Sequence, residues 1–490
     1  MKLRNLLVAL SLANVSFMFT WARLIYAPPM NEYYFSAFPK TQSGIALFLN
    51  VVILGLLFFT AILLIQRSKS RRLEVIAIIL AALLLANAAR VFFPALKNHL
   101  LEATIPIFVL GIGLWFHRPG ARIAKKAMIF VLLAFSPFLV FTFSEFVRAA
   151  VQESKAGGFQ APKSQAEYRN PADPERRVVW LIFDEVDQRL AFDERPEGFA
   201  MPELDRLGRQ VFSARNAVSS EKETLDAIPA LFSGQPIRKA KVISNSDLML
   251  YPTGEQKPFQ WSRGENIFSR VQQLGFNSGL VGWYHPYDRV IGSALSRCYA
   301  HPGFRPEYRP GSGILELMWG QISEQSPLFE RYHQISVYRN TMAEAESLIR
   351  DRRLGLVVIH MPIPHLPWIY DAGSRRITAF RSEKNGYFDN LLLADRSFGE
   401  LRKMMVSEGI WNQTVLIVSS DHAWRESRSY DGKADARVPF MVKLPGRNQG
   451  VTFEPAFDTT MTAPLIEAIF KGEVAGQAQL RQWVDAHRNR

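Results

Sequence analysis

The sequence predicts a five-helix transmembrane domain followed by an α/β domain whose mostly parallel sheet is sandwiched by helices. Three observations carry this reading. Five long apolar stretches fall within the first 150 residues. Beyond residue 177, short apolar runs alternate with segments of helical pattern. Several of those runs end abruptly in acids or histidines, most plainly Thr-Val-Leu-Ile-Val-Ser-Ser-Asp-His at 414–422. Open parallel sheets carry their chemistry at that end of the strands.

The apolar stretches run roughly over 5–26, 43–65, 73–95, 100–116 and 127–147. A helix needs about 20 residues to cross a hydrocarbon core of about 30 Å; the fourth stretch is the shortest. Residues 5–22 have the apolar character of a signal peptide, but no small-residue cleavage site follows. Positive charge alternates between the loops. Lys2 and Arg4 precede the first span. Arg67, Lys69, Arg71 and Arg72 lie between the second and third, and Arg118, Arg122, Lys125 and Lys126 between the fourth and fifth. The other two loops hold only Lys40 and Lys97. The positive-inside rule then puts the N-terminus in the cytoplasm and everything after about residue 148 outside it, on the periplasmic face of an inner (cytoplasmic) membrane. Tyr33, Tyr34 and Phe35 suit an interfacial aromatic belt. Arg23 and Arg90, near outer span ends, suit snorkelling to the interface or contact with an anionic head group.

The net charge of +13 raises nucleic acid as a partner, but ten of the positive charges are accounted for by topology. The remainder suits an anionic membrane surface or phosphate-bearing substrates, and nucleic acid is not expected. A single cysteine, Cys298, rules out an intrachain disulfide. The domains expected are a transmembrane domain over 1–148, a Gly- and Pro-containing linker over 149–177, and an extracytoplasmic catalytic domain over 178–490.

In that last domain the strands expected are Arg177–Phe183, Gly279–Trp283, Leu354–Ile359, Thr414–Val418 and Val438–Lys443. The helices expected are Pro202–Gln210, Thr224–Phe232, Ile267–Leu274, Val337–Arg350, Phe388–Glu408 and Thr459–Phe470. Strands alternating with helices imply a parallel sheet covered on both faces.

Four polar clusters sit at strand ends or a helix start: Asp184 and Glu185, Thr224, His360 and His365, and Asp421 and His422. Parallel strands share one C-terminal edge, so residues about 240 positions apart can converge there. Carboxylates and imidazole suit one divalent cation, Zn²⁺ or Mn²⁺, which activates a coordinated hydroxyl and neutralises phosphate charge. Thr224, at a helix start, reads either as a nucleophile beside a bound anion or as an ordinary N-cap. Asp184 reads as a ligand or as a residue orienting one. His360 is a candidate for substrate contact or a buried histidine. His365, between prolines, is the stronger candidate for substrate contact. Arg425, Arg428 and Lys433 are candidate phosphate grips, or a solvated charged loop.

Six stretches in order carry a resemblance. They are Val-Val-Trp-Leu-Ile-Phe-Asp-Glu (178–185), Met-Pro-Glu-Leu-Asp-Arg-Leu (201–207), Thr-Leu-Asp-Ala-Ile-Pro-Ala-Leu-Phe-Ser-Gly (224–234), Pro-His-Leu-Pro-Trp (364–368), Tyr-Phe-Asp-Asn (387–390) leading into Ala-Asp-Arg-Ser-Phe (394–398), and Ser-Ser-Asp-His (419–422). With them the chain resembles the alkaline phosphatase/sulfatase superfamily, above all its membrane-bound transferases: the lipoteichoic acid synthases and the lipid A phosphoethanolamine transferases. The resemblance implies that Glu185, Thr224, Asp421 and His422 bind one catalytic metal, with Thr224 as nucleophile and His365 on the transferred group. It implies a phospholipid donor, a phospho-threonine intermediate, and an envelope glycan or lipid acceptor that receives phosphoethanolamine or phosphoglycerol. A phosphodiesterase or phosphatase on the same site, and a non-catalytic sulfatase-like envelope-binding protein, are the alternatives. Sulfatases need a modifiable Cys or Ser followed by Pro and Arg, which Thr224-Leu225-Asp226 lacks. The chain also departs from the phosphoethanolamine transferases: it has no disulfides, no His between 423 and 440, and Ala423 where Gly is usual.

Overall fold

The computed structural model describes residues 2–26, 34, 40–89, 100–155, 163–169, 173–244, 246–302, 312–326, 328–380, 386–446 and 449–488. They form two compact units. One comprises Met1–Met30, Ser36–Phe159 and Arg305–Phe329; the other comprises Asn31–Phe35, Gln160–Phe304 and Glu330–Arg490.

The first unit is helical. By length and composition, Thr41–Ser68, Arg71–Ala89 and Arg118–Arg148 can each cross a membrane, and the pair Lys2–Ser16 and Met18–Ile25, bent by 62°, makes a fourth span if taken as one. The stretch at 100–116 forms the 17-residue helix Leu100–Phe116. Among the described residues, three helices, or four with the bent pair taken as one, are long and apolar enough to cross a membrane, where the sequence led us to expect five. Leu57, Leu64, Phe130 and Val140 are exposed, as lipid-facing residues are.

Polar contacts mark the two ends of this unit. At one, Asn5 bonds Gln66 at 3.1 Å, Lys125 pairs with Glu74 at 2.5 Å, and Arg71 donates to the Leu114 carbonyl at 3.0 Å. These segments belong to the three basic stretches. At the other, the helix Ile314–Ser323 joins the bundle. Gln321 donates to the Ser43 carbonyl at 2.8 Å, and Asn50 donates to Gln321 at 3.0 Å. Arg23 neither snorkels nor waits for a lipid. It pairs with Glu324 at 3.3 Å, a carboxylate only 4% exposed. Arg90 lies outside the described residues.

The second unit is built on an eight-stranded sheet. Its strands are β1 (Arg177–Asp184), β2 (Phe212–Ala214), β3 (Asn277–Gly282), β4 (Arg297–Ala300), β5 (Leu354–Pro364), β6 (Thr414–Ser420), β7 (Phe440–Lys443) and β8 (Val451–Phe453). Their order is β8-β2-β7-β6-β1-β5-β3-β4. β7 runs antiparallel to both its neighbours, and every other pair is parallel. The central strands are apolar on both faces. Val178, Trp180 and Ile182 enter one core, and Val179, Leu181 and Phe183 the other, as a period of two requires. The helices Thr224–Ser233, Ile267–Gln273 and Thr462–Lys471 cover the first face. Pro202–Gln210, Phe329–Arg350 and Gly386–Ser407 cover the second. The buried Trp180 indole finds its acceptor in Ser419 Oγ at 2.9 Å.

The expected elements are present, with one boundary that matters. β5 runs to Pro364 rather than Ile359, so His360 lies inside the strand, paired in register with Ile182. The hairpin Ile237–Ser244/Asp247–Pro252, extended by Phe259–Gln260, has no counterpart in the sequence reading. Arg238, Lys239 and Lys241 break its apolar alternation.

Two of the six stretches meet here. The helix Pro202–Gln210 has no side-chain cap from Met201. Asp395, from the helix Gly386–Ser407, supplies it instead: its oxygens accept from Glu203 N at 3.3 Å and Leu204 N at 2.7 Å. Burial pushes the Asp395 carboxyl up to about 6 against these bonds. The folded chain thus holds this proton more tightly than the unfolded one. The stability so gained is fully present below about pH 4 and is lost as pH rises through about 6. Asp395→Asn keeps an acceptor and removes the ionisation, so it will flatten the fall in thermal midpoint across that window. Asp395→Ala will cost about 1 kcal/mol or more near pH 4, as loss of a cap does, and less as pH rises through about 6. Scanning calorimetry of the full-length variants from pH 4 to 7 reads both effects.

Candidate functional site

In the parallel pair β1–β6, Phe183 lies opposite Ser420, so the next residues, Asp184 and Asp421, leave the sheet side by side. Strands in a sheet are about 4.8 Å apart, which is close for two carboxylates. Asp184, Asp421 and His422 are buried, with ligand atoms all within 4.8 Å of one another. Among the described residues this is the one such group.

The turn after β1 is fixed by its neighbours. Asp421 N donates to the Phe183 carbonyl at 3.0 Å. Asp421 Oδ1 accepts from Glu185 N at 3.1 Å and from His422 N at 2.7 Å. Ser420 Oγ accepts from Val186 N at 2.8 Å, and its proton faces the carbonyls of Phe183 and His422 at 2.9 and 3.0 Å. Tyr387 accepts from Asp187 N at 3.0 Å and donates to the Glu185 carbonyl at 2.8 Å, its ring stacked on Trp424 at 4.0 Å. Glu185 itself takes φ of 75°, a conformation that a non-glycine residue adopts only when its surroundings impose it.

After these bonds, both Asp184 oxygens, Asp421 Oδ2 and His360 Nε2 remain buried without a hydrogen-bond partner among the described residues. Burial, then the charges of Asp421 and Glu185, hold the Asp184 carboxyl well above the usual carboxylate range. Burial also raises Asp421, against the pull of His422. Leaving buried acids uncompensated is costly, and a divalent cation removes that cost. The histidine is prepared for one. His422 Nδ1 faces the Ala423 carbonyl at 2.9 Å; a carbonyl only accepts, so the proton is on Nδ1 and the Nε2 lone pair is free. That lone pair faces Thr224 Oγ1 at 3.2 Å and Asp184 Oδ1 at 3.9 Å. A carbonyl bond of this kind orients most metal-binding histidines. The donor set suits zinc or manganese.

Thr224 is not the N-cap. Glu223 is, and makes no side-chain cap bond. Thr224 is the first residue of the helix Thr224–Ser233, is 1% exposed, and turns its hydroxyl to His422. His360, fully buried, sets Nε2 at 3.9 Å from Asp184 Oδ2 and faces the acids. The Glu185 carboxylate takes a different partner, the Arg425 guanidinium at 2.6 Å. Burial opposes its ionisation, but His365, His422 and Arg425 outweigh burial and lower its pKa. Arg425 also bonds Glu223 at 2.5 Å and the half-buried His365 Nε2 at 2.8 Å. Of the three candidate phosphate grips, Arg425 alone reaches the site. Lys433 pairs with Glu194 at 2.7 Å, and Arg428 is exposed.

Sequence reasoning passed over several residues. Asn390 Oδ1 accepts from Ile369 N and Tyr370 N, and its amide reaches the Pro364 and His365 carbonyls, which fixes the His365 loop. Asn390 and Tyr387 lie in a quoted stretch, whose order signals importance but not role. Tyr34 lies in no belt: it is 2% exposed and bonded to His285. Tyr33 and Phe35 lie outside the described residues.

A family model described as Sulfatase matches residues 176–464. An ulvan-active sulfatase of Formosa agariphila is 21% identical over 351 residues, covering 62% of this chain and 62% of that protein. The chain thus spans less than two thirds of that relative's length. Among solved structures, Ps i-CgsB in complex with k-i-k-neocarrahexaose is 14% identical with a TM-score of 0.45, covering 62% of this chain and 74% of that one. The lipoteichoic acid synthase LtaP from Listeria monocytogenes is 13% identical with a TM-score of 0.42, covering 63% and 75%.

The orphaned acids predict a bound metal. Elemental analysis of the purified full-length protein will find a stoichiometric divalent ion, and Asp421→Asn will lose it. Ser420→Ala, which frees the turn without removing a ligand, will weaken metal affinity about tenfold. An Asp421→Asn protein retaining a full complement of metal would sink the assignment.

Proposed function

The chain belongs to the sulfatase family, and on that premise we propose that it is a membrane-anchored phosphotransferase. It moves a phosphoethanolamine or phosphoglycerol group from a phospholipid to a hydroxyl of an envelope glycan or lipid. The observation that carries this reading is the buried Thr224 hydroxyl, 3.2 Å from His422 Nε2 at the acid cluster. That position holds neither of the residues a sulfatase modifies. The single cysteine, Cys298, is in the edge strand β4. The apolar helices and their basic loops support an inner-membrane location with the site on the outer side.

Asp184, Asp421 and His422 would hold the cation with the Thr224 hydroxyl beside them, and Glu185 would join them on releasing Arg425. When bound, such an ion lowers the pKa of a coordinated hydroxyl and offsets phosphate charge. Thr224 Oγ attacks the donor phosphorus, a P–O bond forms, and the P–O bond to diacylglycerol breaks; the threonine proton ends on the diacylglycerol oxygen. The acceptor hydroxyl then attacks the phosphothreonine, and its proton returns to Thr224. The helix N-terminus beneath Thr224 favours the phosphate. Arg425 and His365, already bonded to each other, contact the transferred group, and Arg425 exchanges its bond to an acid for one to phosphate.

Thr224→Ala will lower transfer by about a thousandfold or more, while Thr224→Ser will retain part of it. Intact-mass spectrometry without acceptor will show a head-group adduct that maps to Thr224. In cells supplied with head-group-labelled lipid, label will accumulate on envelope glycan or lipid. Label released free into the medium would identify a hydrolase instead. Transfer at the wild-type rate by Thr224→Ala would dispose of the nucleophile assignment.

A further inference from the structure

We infer that Tyr34 and His285 form a positioning relay behind Thr224, in which Tyr34, acting through His285, fixes the backbone that carries the nucleophile. The inference rests on the reading of Thr224 above. The Tyr34 hydroxyl lies 2.6 Å from His285 Nδ1, and His285 Nε2 lies 3.1 Å from the Thr224 carbonyl. The carbonyl can only accept, so Nε2 carries the proton and Nδ1 accepts from Tyr34. The direction of the chain is thus set: Tyr34 to His285 to Thr224. Both side chains are buried. His285 packs edge-on against Trp261 with centroids 5.1 Å apart and lies beside Tyr287, so its ring has one orientation.

The first turn of this helix needs the support. Asp226 N and Ala227 N both bond the Glu223 carbonyl. Pro229 has no N–H to give the Leu225 carbonyl. The bond from His285 ties the Thr224 peptide from outside the helix, which fixes where Cβ and the hydroxyl point. Neither residue touches the reacting atoms. Their effect is on the attack geometry, to which rates are sensitive.

The test uses the full-length protein in mixed micelles of phosphatidylethanolamine and phosphatidylglycerol, with diacylglycerol release as readout. Tyr34→Phe will lower kcat about 5- to 10-fold, the equivalent of one neutral hydrogen bond, with KM and metal content unchanged. His285→Leu will lower kcat about 5- to 10-fold, as loss of the bond to the Thr224 carbonyl implies. His285→Gln, which can accept from Tyr34 and donate to Thr224, will recover much of the loss. The double variant Tyr34→Phe/His285→Leu will be no worse than His285→Leu, since both act through one chain. Nitrogen-15 NMR of histidine-labelled protein will place the His285 proton on Nε2. A wild-type kcat in Tyr34→Phe, additive losses in the double variant, or a proton on Nδ1 would each overturn the relay. Failure of the reading beneath it looks different: Thr224→Ala then keeps turning over lipid, or the wild type releases diacylglycerol from neither lipid while the NMR still reports on the relay.

Discussion

Two carboxylates emerge side by side from adjacent parallel strands into the buried interior, and the rest of the site is arranged around that fact. Asp184 and Asp421 follow residues that are paired in register, so the sheet itself forces them together. Backbone N–H groups satisfy one oxygen of Asp421, and three carboxylate oxygens and one imidazole nitrogen remain. Structural ion pairs are not left this way, because an unpaired buried charge costs several kcal/mol (roughly 3–5). The neighbouring groups do not relieve the charge; they hold it in place. Ser420, Tyr387 and the Glu185 backbone fix the turn, and the Ala423 carbonyl sets the His422 tautomer.

The same logic separates the two acids at 184 and 185. Glu185 is reversed by its positive φ and reaches Arg425, while Asp184 continues the strand direction into the cluster. Arg425 therefore joins an acid at the metal side, an acid at the helix N-cap and the half-buried His365. A single guanidinium thus spans three partners at the mouth of the acid cluster. The long bidentate reach of arginine suits this, where a lysine would satisfy one partner at a time.

Much of the scaffold was legible in the sequence because its signals are local. Both faces of β1 and β6 are covered, so the strands read as unbroken apolar runs, and their covering helices end at Gly234, Gly275 and Gly409, each with φ near 70–90°. The order of the six stretches implied Glu185, Thr224, Asp421 and His422 as one ligand set; the fold gathers Asp184, Asp421 and His422 with the Thr224 hydroxyl beside His422, and turns the Glu185 carboxylate to Arg425. The supporting residues were not legible as such. Asp395 caps a helix by accepting from a residue 191 positions earlier, Asn390 holds the His365 loop, and Tyr34 reaches His285. A polar residue on a helix or in a loop carries no mark of its distant partner. Tyr34 even carried a misleading one, since an aromatic triplet beside an apolar span usually marks a membrane interface.

The sequence by itself determined the division into apolar helices and an α/β domain, the strands and helices of that domain, and the candidate donors at the strand ends. Periodicity, caps and charge are properties of neighbouring residues, and a chain displays them before it folds. Only the tertiary structure decided that Thr224 faces His422 rather than capping its helix, that Arg23 pairs with Glu324, that His360 faces Asp184, and that Glu185 turns to Arg425. Those outcomes depend on strand register, on the direction in which a buried side chain points, and on which acceptors can only accept. None of these is fixed until distant segments are packed against one another.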